Sequence, residues 1–324
     1  MMKYVKKSVQ GKEEKDSVCV LIPFFNRIPL VLRAVQSAME QTHKNTEILL
    51  IDDGSSESLE KLEEFIEGDS RVRIVRMGKN YGAAAARNEG FRQSNSDYVA
   101  FLDSDDFFLP EKLAKQIALM KKNNARISHT SYIRRYSGTD KYVNTSHING
   151  TVMPAILKDC PIATPTVMIK RDLILERNLR FQEMFSIGED VCLWIDVLSK
   201  ENILGIPEAY TVVNVTEESS ARSEAKQLEG MGNILSFVLS RRELSSYHRE
   251  IRSLCLRYVD ISRKVSQKAS ESESVENSRL RGPYPKSRVL RTIRSARQFG
   301  IKRTIQIGIS KRLLRALRKL ESII

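Results

Sequence analysis

An α/β fold built on a mostly parallel sheet with flanking helices is what this sequence predicts, and three observations carry the prediction. Short β-branched runs alternate with helix-spaced apolar patterns through the first 120 residues. The strand-like runs are continuously apolar, as strands covered on both faces require, and do not alternate with polar residues. Polar and acidic turns close three of those strands at their carboxyl ends, the edge at which open α/β sheets bind ligands.

The elements follow in order. Val18 to Pro23 (VCVLIP) reads as a buried strand stopped by its proline, and Leu30, Val31, Ala34, Val35 and Ala38 recur behind it at helical spacing. Glu47 to Ile51 (EILLI) is a second strand, stopped by Asp52-Asp53-Gly54-Ser55. Leu59, Leu62, Phe65 and Ile66 mark a second helix. Val72 to Val75 gives a short strand, Gly82 to Phe91 an alanine-rich helix, and Tyr98 to Leu102 (YVAFL) a strand running into Asp103-Ser104-Asp105-Asp106. Pro110 starts the next helix. After about residue 125 the pattern loosens, with short segments near Arg126–Tyr132, Pro165–Lys170 and Val212–Val215. The expected organisation is a flexible arm over 1–16, an α/β domain over 17–230 and a helical extension over 231–265. A Ser/Glu-rich linker over 266–284 and a basic amphipathic tail over 285–324 complete it.

Composition narrows the class. Apolar residues make up 41 % of the 324, enough for a substantial core. Cys19, Cys160, Cys192 and Cys255 are scattered and form no CxxC pair, so they read as reduced thiols of a cytosolic protein and not as a disulfide frame or zinc site. His43, His129, His147 and His248 show no metal-ligand spacing and read as ordinary surface or pocket residues. No apolar core follows Lys3, Lys6 and Lys7, so no signal peptide is expected. No apolar run reaches the roughly 18 residues of a spanning helix. The net charge of +13 lies in the tail: from Arg279 onward there are fourteen Lys/Arg and one acid, and the rest of the chain is neutral overall.

The residues that bear chemistry sit at the strand ends. Carboxylates grouped as in LDSDD (102–106) ionise together only at a cost unless a cation offsets them, and hard oxygen ligands suit Mn²⁺ or Mg²⁺ shared with substrate phosphates. Taken alone, that motif is more often a solvated acidic turn before a helix. Asp52-Asp53-Gly54-Ser55 alone is more often a turn than a ligand, although a carboxylate there can accept from a base N–H or ribose hydroxyls. In Asn80-Tyr81-Gly82 through Gly90 (NYGAAAARNEG) the small residues permit close approach, either to a ligand or between helix and sheet, and Arg87 is a phosphate or base partner. Gly188-Glu189-Asp190 precedes a helix bearing Trp194. A carboxylate there can take a proton, or it is a helix cap with first-turn acids.

Together VLIPFFNR, QTHKNTEILLIDDGSSE, NYGAAAARNEG, YVAFLDSDDFFLPEKL and GEDVCLW resemble, in order and spacing, glycosyltransferase family 2 with its GT-A (Rossmann-like) fold, over roughly residues 17–215. The resemblance implies an inverting transferase, usually using a UDP-sugar and a divalent cation. It implies that Pro23, Phe25 and Asn26 line the nucleotide pocket, that Asp53 contacts the base, and that Asn80 and Arg87 contact nucleotide or diphosphate. Asp103, with Ser104 beside it, falls near the ribose, and Asp105 is the direct metal ligand. Asp190 is the general base, with Glu189 its competitor. The expected partners are a nucleotide-sugar donor and a glycan or lipid-linked acceptor, as in bacterial surface polysaccharide assembly. Rival readings are a sugar nucleotidyltransferase, disfavoured by PFFNR where a glycine-rich phosphate loop belongs, and an inactive glycan- or membrane-binding relative, disfavoured by the intact acidic set.

In the tail, Ile301, Ile305, Ile309, Leu313, Leu317, Leu320 and Ile324 make one apolar stripe amid basic residues. Such a helix lies on an anionic membrane surface or packs on the protein's own body. Nucleic-acid binding is not expected, because the tail is nearly without aromatics for base stacking. The predicted location is the cytoplasm, peripheral to the inner face of the membrane.

Overall fold

The computed structural model describes residues 16–216 and 223–262. The predicted linker over 266–284 and tail over 285–324 lie outside the described residues, as does the arm apart from Asp16. Two compact units partition the chain. One comprises residues up to Thr151 with Pro161–Phe181 and Glu201–Val215; the other comprises Val152–Cys160, Gln182–Lys200 and the described residues from Thr216.

The first unit opens with β1 (Val18–Phe24), α1 (Ile28–Met39), β2 (Thr46–Asp52), α2 (Glu60–Ile66), β3 (Val72–Arg76), α3 (Ala83–Gln93) and β4 (Tyr98–Phe101). Each expected strand and helix of this region is present, with ends moved by a residue or two. The strand order β3-β2-β1-β4 is all parallel and reverses direction of winding at β1, which has β2 on one side and β4 on the other. Continuous apolar runs are explained by cover on both faces. Val18, Val20, Ile22 and Phe24 of β1 join Ile48 and Leu50 of β2 and Tyr98 and Ala100 of β4 in a core with α1. On the opposite face Leu21 meets α3 so closely that a Cβ on Gly90 would lie 2.0 Å from its Cδ1.

The sheet continues through β5 (Phe107–Phe108), α4 (Lys112–Lys122), β6 (Ile127–Tyr136), β7 (Thr139–Val143), β8 (Met168–Lys170), α5 (Arg171–Glu176) and β9 (Leu204–Val215). Beyond β4 the order is β8-β6-β9-β5, with β7 on β6. Here β8 joins β4 and β6 antiparallel, whereas β6 and β9 run parallel. The segments expected near 126–132 and 212–215 are parts of longer strands. β7 was not expected: its residues are mostly exposed and polar, and a two-residue turn with positive φ at Ser137 and Gly138 creates the hairpin.

The second unit contains α6 (Glu189–Leu198), α7 (Glu224–Ser240) and helical residues 248–262. Trp194, Leu193 and Val197 of α6 and Leu235 and Val238 of α7 are buried. No helix among the described residues is long and apolar enough to cross a membrane, and the four cysteines are free thiols.

Candidate active site

Loops after β1, β2 and β4 and the start of α3 form the site. Asn26 and Arg27 take left-handed backbone (φ 54° and 59°), turning strand into helix within two residues. Such strain persists where neighbours hold the chain. Asn26 N–H donates to Ser55 Oγ at 2.7 Å, and Asn26 Oδ1 accepts from the Ser56 and Glu57 N–H groups at 2.9 and 3.1 Å. The loop after β1 is thereby laced to the loop after β2.

The two aspartates of that second loop have different partners. Asp52 Oδ1 accepts from Ser55 N–H at 2.8 Å and closes a local turn. Asp53, 4 % exposed, accepts from the Tyr81 and Gly82 N–H groups with its two oxygens, each at 2.8 Å. It therefore shapes the loop that starts α3. Gly54 is required here: its φ is +77°, and a Cβ would come within 2.5 Å of the Lys79 carbonyl carbon.

From α3, Arg87 is 6 % exposed and donates through Nη2 to Asp103 Oδ1 at 2.7 Å, with its guanidinium 5.2 Å from the Phe181 ring centroid. Leu102 N–H donates to Leu21 carbonyl at 3.0 Å, which carries the turn after β4 alongside the end of β1. A cavity of about 250 Å³ forms at this meeting point. Pro23 and Phe25, then Asp53 and Arg87, then Asp103, Ser104 and Asp105 all line it. Two of the expected nucleotide residues are not among its lining: Asn26 is occupied in joining the loops, and Asn80 is exposed.

Burial, and next the charge of Asp103, raise Asp105 above the ordinary carboxylate value, opposed by Arg27 and Arg33. Asp106 is raised well above it by burial and by Asp103 and Asp105, although the Asn214 N–H favours its charged form. The turn thus holds more negative charge than it tolerates by itself, and the chemistry of its donors fits a hard divalent cation. No cluster of three or more His, Cys, Asp or Glu arranged for a metal occurs among the described residues. Mg²⁺ and Mn²⁺ sites completed by substrate phosphates need only one or two protein carboxylates.

In the second unit, Gly188 (φ +82°) caps α6, and Glu189 and Asp190 occupy its first turn, where anions are favoured by the helix dipole. A Cβ on Gly188 would meet the Gly230 carbonyl oxygen at 3.0 Å, and Asn233 Nδ2 donates to Ile187 carbonyl at 3.0 Å. α7 therefore clamps the loop before the acidic pair. His129, expected at a surface or pocket, is instead fully buried, with Nε2 2.8 Å from the Ile148 carbonyl oxygen. Phe181 and Asn214 escaped sequence reasoning; each reaches the site from a distant segment and carries no local signal.

A cavity outside the carboxyl edge of the parallel strands, where strand order reverses, is the place at which open α/β sheets bind ligands. The sequence profile of Glycosyl transferase family 2 matches residues 19–188. An uncharacterized glycosyltransferase of Rickettsia felis is 38 % identical over 93 % of this chain and 51 % of its own. The Escherichia coli UDP-Glc:alpha-D-GlcNAc-diphosphoundecaprenol beta-1,3-glucosyltransferase WfgD is 30 % identical over 67 % of this chain and 85 % of its own. The chain spans about half the length of the Rickettsia felis relative. Among solved structures, Staphylococcus aureus TarS 1-349 in complex with UDP superimposes with a TM-score of 0.61 at 18 % identity, covering 76 % of this chain and 73 % of TarS 1-349. The Pyrobaculum calidifontis mannosyltransferase PcManGT, in complex with GDP-Man and Mn2+, gives 0.57 at 14 % identity, covering 89 % and 82 %. The chain belongs to glycosyltransferase family 2 and has the GT-A fold.

Proposed function

We propose that this protein is an inverting glycosyltransferase that moves a sugar from a nucleotide-diphosphate donor, a UDP-sugar, to a hydroxyl of a glycan or lipid-linked acceptor in surface polysaccharide biosynthesis. The observation that carries the reading is the meeting of Pro23, Phe25, Asp53, Arg87 and Asp103–Asp105 at one cavity. The UDP-Glc donor and diphosphoundecaprenol acceptor in the name of the Escherichia coli relative support both substrate classes.

The nucleotide lies along the β1 and β2 loops, with Phe25 offering a ring, Asp53 near the base, and Asp103 and Ser104 near the ribose. Asn26 and Asn80 act from the loops that frame this pocket. Asp105 would hold Mn²⁺ or Mg²⁺, which when bound supplies positive charge against the diphosphate; Mn2+ accompanies GDP-Man in the Pyrobaculum structure. Arg87 holds Asp103 in place and adds positive charge near the departing diphosphate. Asp190, with Glu189 as competitor, removes the acceptor hydroxyl's proton. A base opposite the leaving group gives a single displacement and inversion. The enzyme works on the cytoplasmic side, where its basic tail attaches it to an anionic membrane surface.

A thermal-shift screen tests the donor. UDP-sugar with Mn²⁺ at about a hundredfold excess over Kd is expected to raise Tm by about 5–10 °C, and EDTA to remove the metal-dependent part. No shift with any nucleotide sugar, with or without metal, defeats the proposal. In transfer assays Asp190→Ala is expected to lose about 10²–10⁴-fold in turnover. Full turnover in that variant, beside loss in Asp105→Ala, moves the base elsewhere.

A further inference from the structure

We infer that Asn214, which lies beyond the family match at residues 19–188, is a positioning residue that sets the placement of Asp105. This rests on the reading that Asp105 holds the divalent cation. β5 pairs with β9 antiparallel, Phe107 opposite Val212 and Phe108 opposite Thr211. Continuing that register two residues back sets Asp105 opposite Asn214, just where the strand gives way to the acidic turn. Ladder pairing stops there, and the asparagine continues it in another form. Its backbone N–H donates to Asp106 Oδ1 at 2.8 Å, and its side-chain Nδ2 donates to the Asp105 carbonyl oxygen at 2.5 Å.

A second donor, Arg33 Nη2 from α1, reaches the same Asp105 carbonyl at 2.9 Å. The Asp105 main chain is therefore held from two elements, and the residue lines the cavity. The Asp106 side chain, 3 % exposed, is directed to β9 by the Asn214 N–H and so does not compete with Asp105 for the cavity. Hydrogen-bond partners one shell removed from a metal orient its ligands, and their loss costs about ten- to a hundredfold in metal affinity. Asn214 has that relation to Asp105, acting through the main chain.

The test is the Mn²⁺ binding isotherm in the presence of UDP, read from the electron paramagnetic resonance of free Mn²⁺. It compares wild type, Asp105→Ala, Asn214→Ala, Asn214→Leu and Val213→Ala on the same strand. Asn214→Ala is expected to weaken Mn²⁺ binding about ten- to a hundredfold. The half-saturating Mn²⁺ for turnover should rise by the same factor, with kcat recovering at saturating Mn²⁺ and Val213→Ala unchanged. Asn214→Leu keeps the branching at Cγ without the donor and decides the matter should the alanine variant unfold. Wild-type isotherms in both Asn214 variants, with binding lost only in Asp105→Ala, overturn the role of Asn214 and leave the metal reading intact. No Mn²⁺ binding by wild type overturns the metal reading and the inference together.

Discussion

Lys112 is fully buried on the inner face of α4, where its Nζ donates to Gln116 Oε1 at 2.6 Å and to the Thr166 carbonyl at 3.3 Å, 4.7 Å from the Phe108 ring centroid. None of the described ion pairs includes it, and burial lowers its pKa from 10.5 to about 7. Between those values the folded lysine is neutral while the unfolded one is charged. The unfolded chain then binds the extra proton, so Lys112 makes stability rise with pH from about 7 to about 10.5 and leaves the penalty fully present below 7. Denaturation of Lys112→Met across that range should show this rise flattened, with stability at neutral pH equal to or above that of wild type. An unchanged slope would place the proton elsewhere. The sequence shows only that a helix starts at about Pro110, with Lys112 near its beginning. Only the packing of Leu113, Ile117 and Met120 against the sheet reveals that helix rotation takes Lys112 and Gln116 inside with them. Asp53 shows the same limit in milder form: its place at a strand end was legible, its two N–H partners were not.

Among the elements, α3 was read most fully. Its small residues were open to two readings, ligand approach or helix–sheet packing: Gly90 packs on Leu21, as the second requires, and Ala83 and Ala86 line the cavity. Gly90→Ala gains helix propensity of about 1 kcal/mol but forces a methyl into a fully buried leucine. With overpacking at about 1–3 kcal/mol, a net loss of up to about 2 kcal/mol is expected in denaturant unfolding. Leu21→Ala should recover part of it, giving a coupling of at least about 0.5 kcal/mol in a double-mutant cycle; strict additivity would contradict the packing. The ring cluster of Phe91, Phe101 and Phe181, with centroids 5.7–5.9 Å apart, seats the same helix against β4. β7 was missed and β6 and β9 were read short for one reason. No unbroken apolar period marks them: β7 and the end of β6 are largely polar, and Gly205 and Pro207-Glu208 interrupt the first half of β9.

Taken whole, the molecule separates its chemistry from its charge. The described residues hold the family match, the cavity and the acidic turns, whereas the positive excess falls from Arg279 onward, outside them. Deleting residues 285–324 is expected to abolish co-sedimentation with vesicles containing anionic lipid while leaving the nucleotide-dependent thermal shift in place. High salt should release the full-length chain in the same way. Partitioning that survives the deletion would rule out the tail as the anchor. By itself the sequence determined the parallel half of the sheet, the family and the strand ends at which the acidic and small residues stand. Those are local properties, written in apolar period and turn chemistry over ten or twenty residues. Tertiary structure alone decided which of those residues share a cavity, that Asp53 is bonded to the next loop, that Lys112 is inside, and that Asn214 holds Asp105. Each of these depends on segments 28 to 109 residues apart being brought within hydrogen-bond reach or buried together, and no local pattern encodes such a distance.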